Sequence, residues 1–177
     1  MSLVKRIGLG IGGAFVLVIV AAFICNVWGI SSKKSTISFS ALIEQGKINE
    51  LTLTIYCMNP LVLTRYPLSV GDLVDNRHVR KFVIEGSILA EHVESFRQMS
   101  HAELIPVENK SCINARLYYL FKTENGEKIF SVAMWGDDSS IFINGREFCE
   151  NDIFYEAVEP FLREFIEQEW EKYYNSR

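Results

Sequence analysis

An apolar stretch from Ile7 to Ile30 is the feature that most constrains what this chain can become. Lys5 and Arg6 precede it, Lys33 and Lys34 follow it, and no charged residue interrupts it. Its 24 residues, wound at about 1.5 Å each, reach about 36 Å, enough to cross a hydrocarbon core about 30 Å thick with some tilt. The sequence therefore predicts a single N-terminal transmembrane helix that contacts the bilayer through residues 7–30. It lies within an anchor over residues 1–34, ahead of one domain over residues 35–177. A cleaved secretory signal would need a shorter apolar core, of about 7–15 residues, and a small-residue cleavage site. Ile24-Cys25-Asn26-Val27-Trp28 offers no such site, and Phe23 and Ile24 before Cys25 fit a lipoprotein signal poorly. Trp28 suits an interfacial anchor. Gly8 and Gly12 form a G-x-x-x-G pair that points to a weak homodimer in the membrane. The flanking charges nearly balance. The shortness of the N-terminal tail puts the N-terminus in the cytoplasm and the domain outside it, as a single-pass protein of the cell membrane.

Composition separates the domain from its anchor. All 22 acidic residues lie beyond Lys34, against 14 of the 18 basic ones, so the domain carries 14 − 22 = −8. That sign repels nucleic acid and anionic lipid, and neither is expected as a partner of the domain surface. An aromatic content of 12% supplies a real core and argues against disorder.

Hydrophobic periodicity predicts an α+β domain, with an antiparallel β-meander packed by helices. A short helix capped by Ser38 or Ser40 uses Phe39, Leu42 and Ile43 and ends at Gly46. Asn49–Met58 alternates as a half-buried strand, with Leu51, Leu53, Ile55 and Cys57 on one face and Thr52, Thr54 and Tyr56 on the other. Asn59-Pro60 and Tyr66-Pro67 bracket a loop or edge strand. Residues 70–74 suggest one helical turn and 81–85 a short strand closed by Gly86. Ser87 then caps a helix to about Met99. Residues 103–107 form a candidate strand. The meander runs from Ile113 to Cys149. Ile113, Ala115, Leu117, Tyr119 and Phe121 share one face of its first strand, Asn125-Gly126 signals a type I′ turn, Lys128–Trp135 returns, and Asn144-Gly145 joins the last two strands. Asn151 or Asp152 starts the final amphipathic helix. Pro160 should kink it or begin a second one.

No residue set reads as catalytic, cofactor-binding or metal-binding. His78, His92 and His101 stand in no zinc spacing, and Asp137-Asp138 reads as a turn rather than a calcium loop. There is no nucleophile elbow and no Walker-type G-K-[ST]; the only G-x-G-x-x-G match lies in the membrane span. If Cys112 opens the first meander strand and Cys149 closes the fourth, three strand spacings place them about 14 Å apart, beyond the roughly 7 Å a disulfide allows. Cys57, Cys112 and Cys149 are thus expected as free, mostly buried thiols. Arg116, Tyr118, Trp135 and Tyr56 are of the types that anchor protein interfaces, and they are the candidate contacts with a protein partner in the envelope. The composite expectation is a membrane-anchored, extracytoplasmic binding or accessory domain, more a binding module than an enzyme. A sensor or immunity-type protein and an envelope hydrolase are the alternatives.

Overall fold

The computed structural model describes residues 39–59, 61–108, 111–136 and 139–175. The expected membrane span, the Gly8–Gly12 pair, the linker and Asp137-Asp138 lie outside them. Among the described residues no helix is long and apolar enough to cross a membrane.

Six antiparallel strands form one sheet in the order β2-β1-β3-β4-β5-β6. They are β1 (Leu51–Met58), β2 (Val79–Ile84), β3 (Leu117–Thr123), β4 (Lys128–Met134), β5 (Ile141–Ile143) and β6 (Arg146–Phe148). The four-strand meander is β3 to β6, and β1 with β2 extends it from the β3 side, so the fold is α+β. Leu53, Ile55, Leu117, Tyr119, Phe121, Phe130, Val132, Met134 and Ile143 point to one face. Helices cover that face: α1 over residues 39–44, α3 (Gly86–Glu91), α4 (Val93–His101), α5 (Ile153–Glu156) and α6 (Glu159–Asn175). They deliver Phe39, Ile43, Leu89, Phe96, Met99, Phe154, Leu162 and Phe165 to the core. Each such side chain, fully buried, contributes about 1.5–3 kcal/mol.

The opposite face is covered too, by a thinner layer. Val62, Leu68 and Val70, with Leu73 of α2 (Val70–Val74), pack with Ile113 and Ala115 on Tyr56, Met58, Tyr118, Ala133 and Phe142. This corrects the expected first meander strand, which starts at Leu117 and not at Ile113. The Met58 amide donates to the Arg116 carbonyl (2.8 Å) and β1 ends there, so residues before Arg116 have no strand to pair with. The chain crosses to the other face instead, where the Ala115 amide donates to the Leu68 carbonyl (2.9 Å).

Local chemistry departs from expectation at three further points. The helix expected from Ser87 begins at Gly86, with Glu85 as its cap, and it breaks at His92, whose amide bonds the Leu89 carbonyl three residues back (3.1 Å). Asn144 and Gly145 both take positive φ, 50° and 81°, as the type I′ turn requires. At Asn125-Gly126 only Gly126 does (φ 78°). Its amide donates to the Thr123 carbonyl, and the β3–β4 register shifts after Phe121. That is a three-residue loop, Glu124-Asn125-Gly126, closed by the Thr123 amide on the Glu127 carbonyl (3.0 Å), with a bulge beyond it in place of the two-residue type I′ turn. The expected strand near residues 103–107 is reduced to a bridge between Pro106 and Phe148, supported by the Cys149 amide on the Ile105 carbonyl (2.8 Å), and it shields the β6 edge. Pro160 starts a second helix, as the alternative at that position anticipated.

Gly86 is where α3 meets the turn before β1. A Cβ there would lie 2.0 Å from the Asn49 carbonyl oxygen and 2.6 Å from Asn49 Cα. Backbone cannot yield as a side chain does, so Gly86→Ala should lower the unfolding free energy by about 3 kcal/mol. Urea denaturation of the variant checks this, and a loss below about 1 kcal/mol would deny the close approach.

Candidate functional site

The four candidate contact residues separate into two places. Arg116 and Trp135 come together at the end of the sheet, where β1 and β3 meet α6. Cys57, Met58, Leu117, Tyr155, Leu162 and Ile166 complete a groove of about 220 Å³ there. Trp135 follows directly on β4 and is 51% exposed at the groove, a large apolar surface left in water. Leu162, Ile166 and Trp170 are spaced at four residues on α6, so one helical stripe runs from the core through the groove wall to an exposed cluster. In that cluster Trp170 lies 6.2 Å, ring centre to ring centre, from both Tyr173 and Tyr174.

Arg116 does not project from an open sheet face. Its Nη1 donates to the Val62 carbonyl and its Nη2 to Thr64 Oγ1 (3.1 Å), so it clasps the segment after β1 against the sheet end. Its Nε is buried without a hydrogen-bond partner, and among the described residues no carboxylate forms an ion pair with the guanidinium. Asn114, two residues earlier, serves the same layer: its Oδ1 accepts from the Leu68 amide (3.1 Å). Arg116, expected as a contact with a partner, is thus with Asn114 the fastening of the thinner layer.

Tyr56 and Tyr118 lie on that second face. They are cross-strand neighbours with ring centres 6.0 Å apart, and Lys81 of β2 sits 5.7 Å from the Tyr56 ring centre. Burial, and to a lesser extent the neighbouring Tyr56, push the Tyr118 phenol up, partly offset by a hydrogen bond with Ser131. Lys81, Tyr56 and Tyr118 thus form a row across β2, β1 and β3.

A larger cavity of about 470 Å³ lies by β5 and β6, lined by Pro106, Val107, Ser111, Phe142, Arg146 and Glu147. Glu147 is its chemically distinctive group, a buried acid that the sequence reading passed over. The carboxylate is already engaged: it accepts from the Ser111 amide (2.7 Å), Ser111 Oγ (2.5 Å) and Ser140 Oγ (3.1 Å). Those bonds pin the crossing chain to β6, a structural task. Its only signal in the sequence was an acid inside a short apolar hairpin.

The cysteines divide differently from expectation. Cys57 is buried, whereas Cys112 and Cys149 are exposed, because Cys112 sits on the crossing chain and Cys149 lies past the end of β6. Cys112 opens no strand, so the strand-spacing distance does not apply to Cys112 and Cys149; both are free thiols. Burial pushes the Cys57 thiol up to about 12. Among the described residues no group of three His, Cys, Asp or Glu side chains is placed to hold a metal ion. Comparison with protein-family models, curated proteins and solved structures finds no match.

Two outcomes follow from this geometry. At pH 8 iodoacetamide should alkylate Cys112 and Cys149 in the folded protein and spare Cys57, because the thiolate is the nucleophile and Cys57 holds its proton; peptide mass spectrometry reads this directly. Arg116→Met should cost about 1–3 kcal/mol by releasing its hydrogen-bond partners. It should also speed amide exchange over residues 61–68 while leaving β4 protected.

Proposed function

We propose that this chain is a membrane-anchored, extracytoplasmic binding or accessory domain that engages a protein partner of the membrane or envelope. The observation that carries the reading is the groove at Trp135. A half-exposed indole beside the apolar wall of Ile166 and Met58 is the kind of surface that concentrates binding energy in protein interfaces. The α6 stripe continues this apolar surface outward through Trp170 to Tyr174. The uninterrupted apolar run at residues 7–30 supports the anchor. The short polar segment after it supports a partner held near the bilayer. In this reading the partner seats an apolar side chain against Trp135, and the rigid sheet end keeps the indole in place before contact, lowering the ordering cost.

The test starts with a photo-reactive benzophenone side chain in place of Trp135 in the full chain in its native membrane. It should capture one defined membrane or envelope protein, and the same replacement at exposed Ile88 on α3 should not. Trp135→Ala should reduce recovery of that protein at least fivefold while changing stability by less than about 0.5 kcal/mol. Capture of unrelated neighbours in equal yield from both positions would end the reading. A reporter fused after Arg177, active only inside the cytoplasm, would overturn the orientation.

A further inference from the structure

The two edges of the sheet are treated differently. The β6 edge is shielded by the Pro106 bridge. The β2 edge has no strand beyond it among the described residues. The ladder shows which of its main-chain groups are open. The Asn59 amide donates to the His78 carbonyl (3.2 Å), which makes that position a hydrogen-bonded pair. With Cys57 opposite Arg80 and Ile55 opposite Phe82, antiparallel alternation turns the N–H and C=O of His78, Arg80, Phe82 and Ile84 toward β1. Those of Lys81 and Val83 face away.

This open edge is also the basic part of an acidic domain. Between Asp75 and Glu85 the chain carries Arg77, Arg80 and Lys81 and no acid. Among the described residues none of the three forms an ion pair. The Arg80 guanidinium lies over the Phe165 ring (5.9 Å) and the Lys81 ammonium over Tyr56 (5.7 Å), so both cations are held beside the edge by aromatic rings. Val83 beside them is 58% exposed. We propose that β2 is a docking edge for an extended acidic segment of a partner protein, which adds to the sheet as a seventh strand. Main-chain bonds to Lys81 and Val83 supply the register, and Arg77, Arg80 and Lys81 supply the choice of an acidic sequence. Lysine on an exposed edge deters a neutral or basic strand. It deters a second copy of this chain as well, whose β2 carries the same cations, and it favours an acidic strand.

A fluorescein-labelled octapeptide of alternating Val and Glu, titrated into the full chain in detergent micelles, should bind saturably by fluorescence anisotropy. Its Val/Lys counterpart should not bind. The double variant Arg80→Glu, Lys81→Glu should weaken binding at least tenfold. Val83→Pro removes an outward donor without touching the β1 ladder, and N-methylation of alternate peptide amides blocks the same bonds from the other side. Each should weaken binding at least fivefold, with the thermal melt of each variant confirming that the sheet persists. Trp135→Ala should leave peptide affinity unchanged, so this proposal and the groove reading fail separately. Three results would overturn the proposal. Binding could be insensitive to both Val83→Pro and N-methylation. Anionic phosphatidylglycerol vesicles could displace the peptide completely. Sedimentation could show a dimer that Val83→Pro dissociates.

Discussion

Tyr119 joins the layers of this domain. It sits on β3, in the middle of the sheet, with no exposed surface. Its hydroxyl donates to the Phe154 carbonyl (2.8 Å) on α5 and lies 3.4 Å from Met99 Sδ on α4. One side chain therefore ties the sheet to two separate helices and satisfies a carbonyl that would otherwise be buried without a donor, at a cost of about 1–3 kcal/mol. Its ring packs edge-to-face on Phe121, which in turn meets Phe39, Phe96 and Phe130. Burial drives the phenol well above its usual range, so it stays a neutral donor. This contact fastens α4 and α5 to the middle of the sheet.

With α1, α3, α4, α5 and α6 on one face, the other face of the sheet is closed by the short helix α2 and by chain without regular structure. Arg116, Asn114 and Glu147 do this work, each as a polar group that pins a crossing segment to a strand end. The arrangement leaves two places uncovered. One is the sheet end beside α6, where Trp135 is half exposed and no further element among the described residues covers the groove. The other is the β2 edge, where among the described residues no strand pairs with the main chain of Lys81 and Val83. A surface that is rigid beneath and open above is what a binding module requires, since the scaffold bears the ordering cost in advance.

Strands with strict alternation and turns with defined dihedral demands were legible. β1, β4 and the β5–β6 hairpin occupy the expected residues, and Asn144-Gly145 forms the turn its residues prefer. Misreadings arose where a local pattern needed a distant partner to become structure. Ile113 and Ala115 alternate like a strand, but β1 stops at Met58, so they serve the other face. Ser87 is a good cap by residue type, but the helix starts one residue earlier, at Gly86, which packs against the Asn49 backbone. The candidate contacts were chosen by residue type, and type alone could not separate the clasp at Arg116 from the exposed indole at Trp135.

The amino-acid sequence by itself determined the α+β class, the meander, the acidic balance of the domain and the uninterrupted apolar run at residues 7–30. These depend on short-range periodicity and on composition, which need no knowledge of the fold. Tertiary structure alone decided that β1 and β2 extend the sheet from its β3 side, that both faces are covered, that Cys57 is buried while Cys112 and Cys149 are not, and that β2 ends the sheet with open main-chain groups. Each of these depends on which segments meet across long separations in the chain, and that is set by the packing of the whole core around Tyr119.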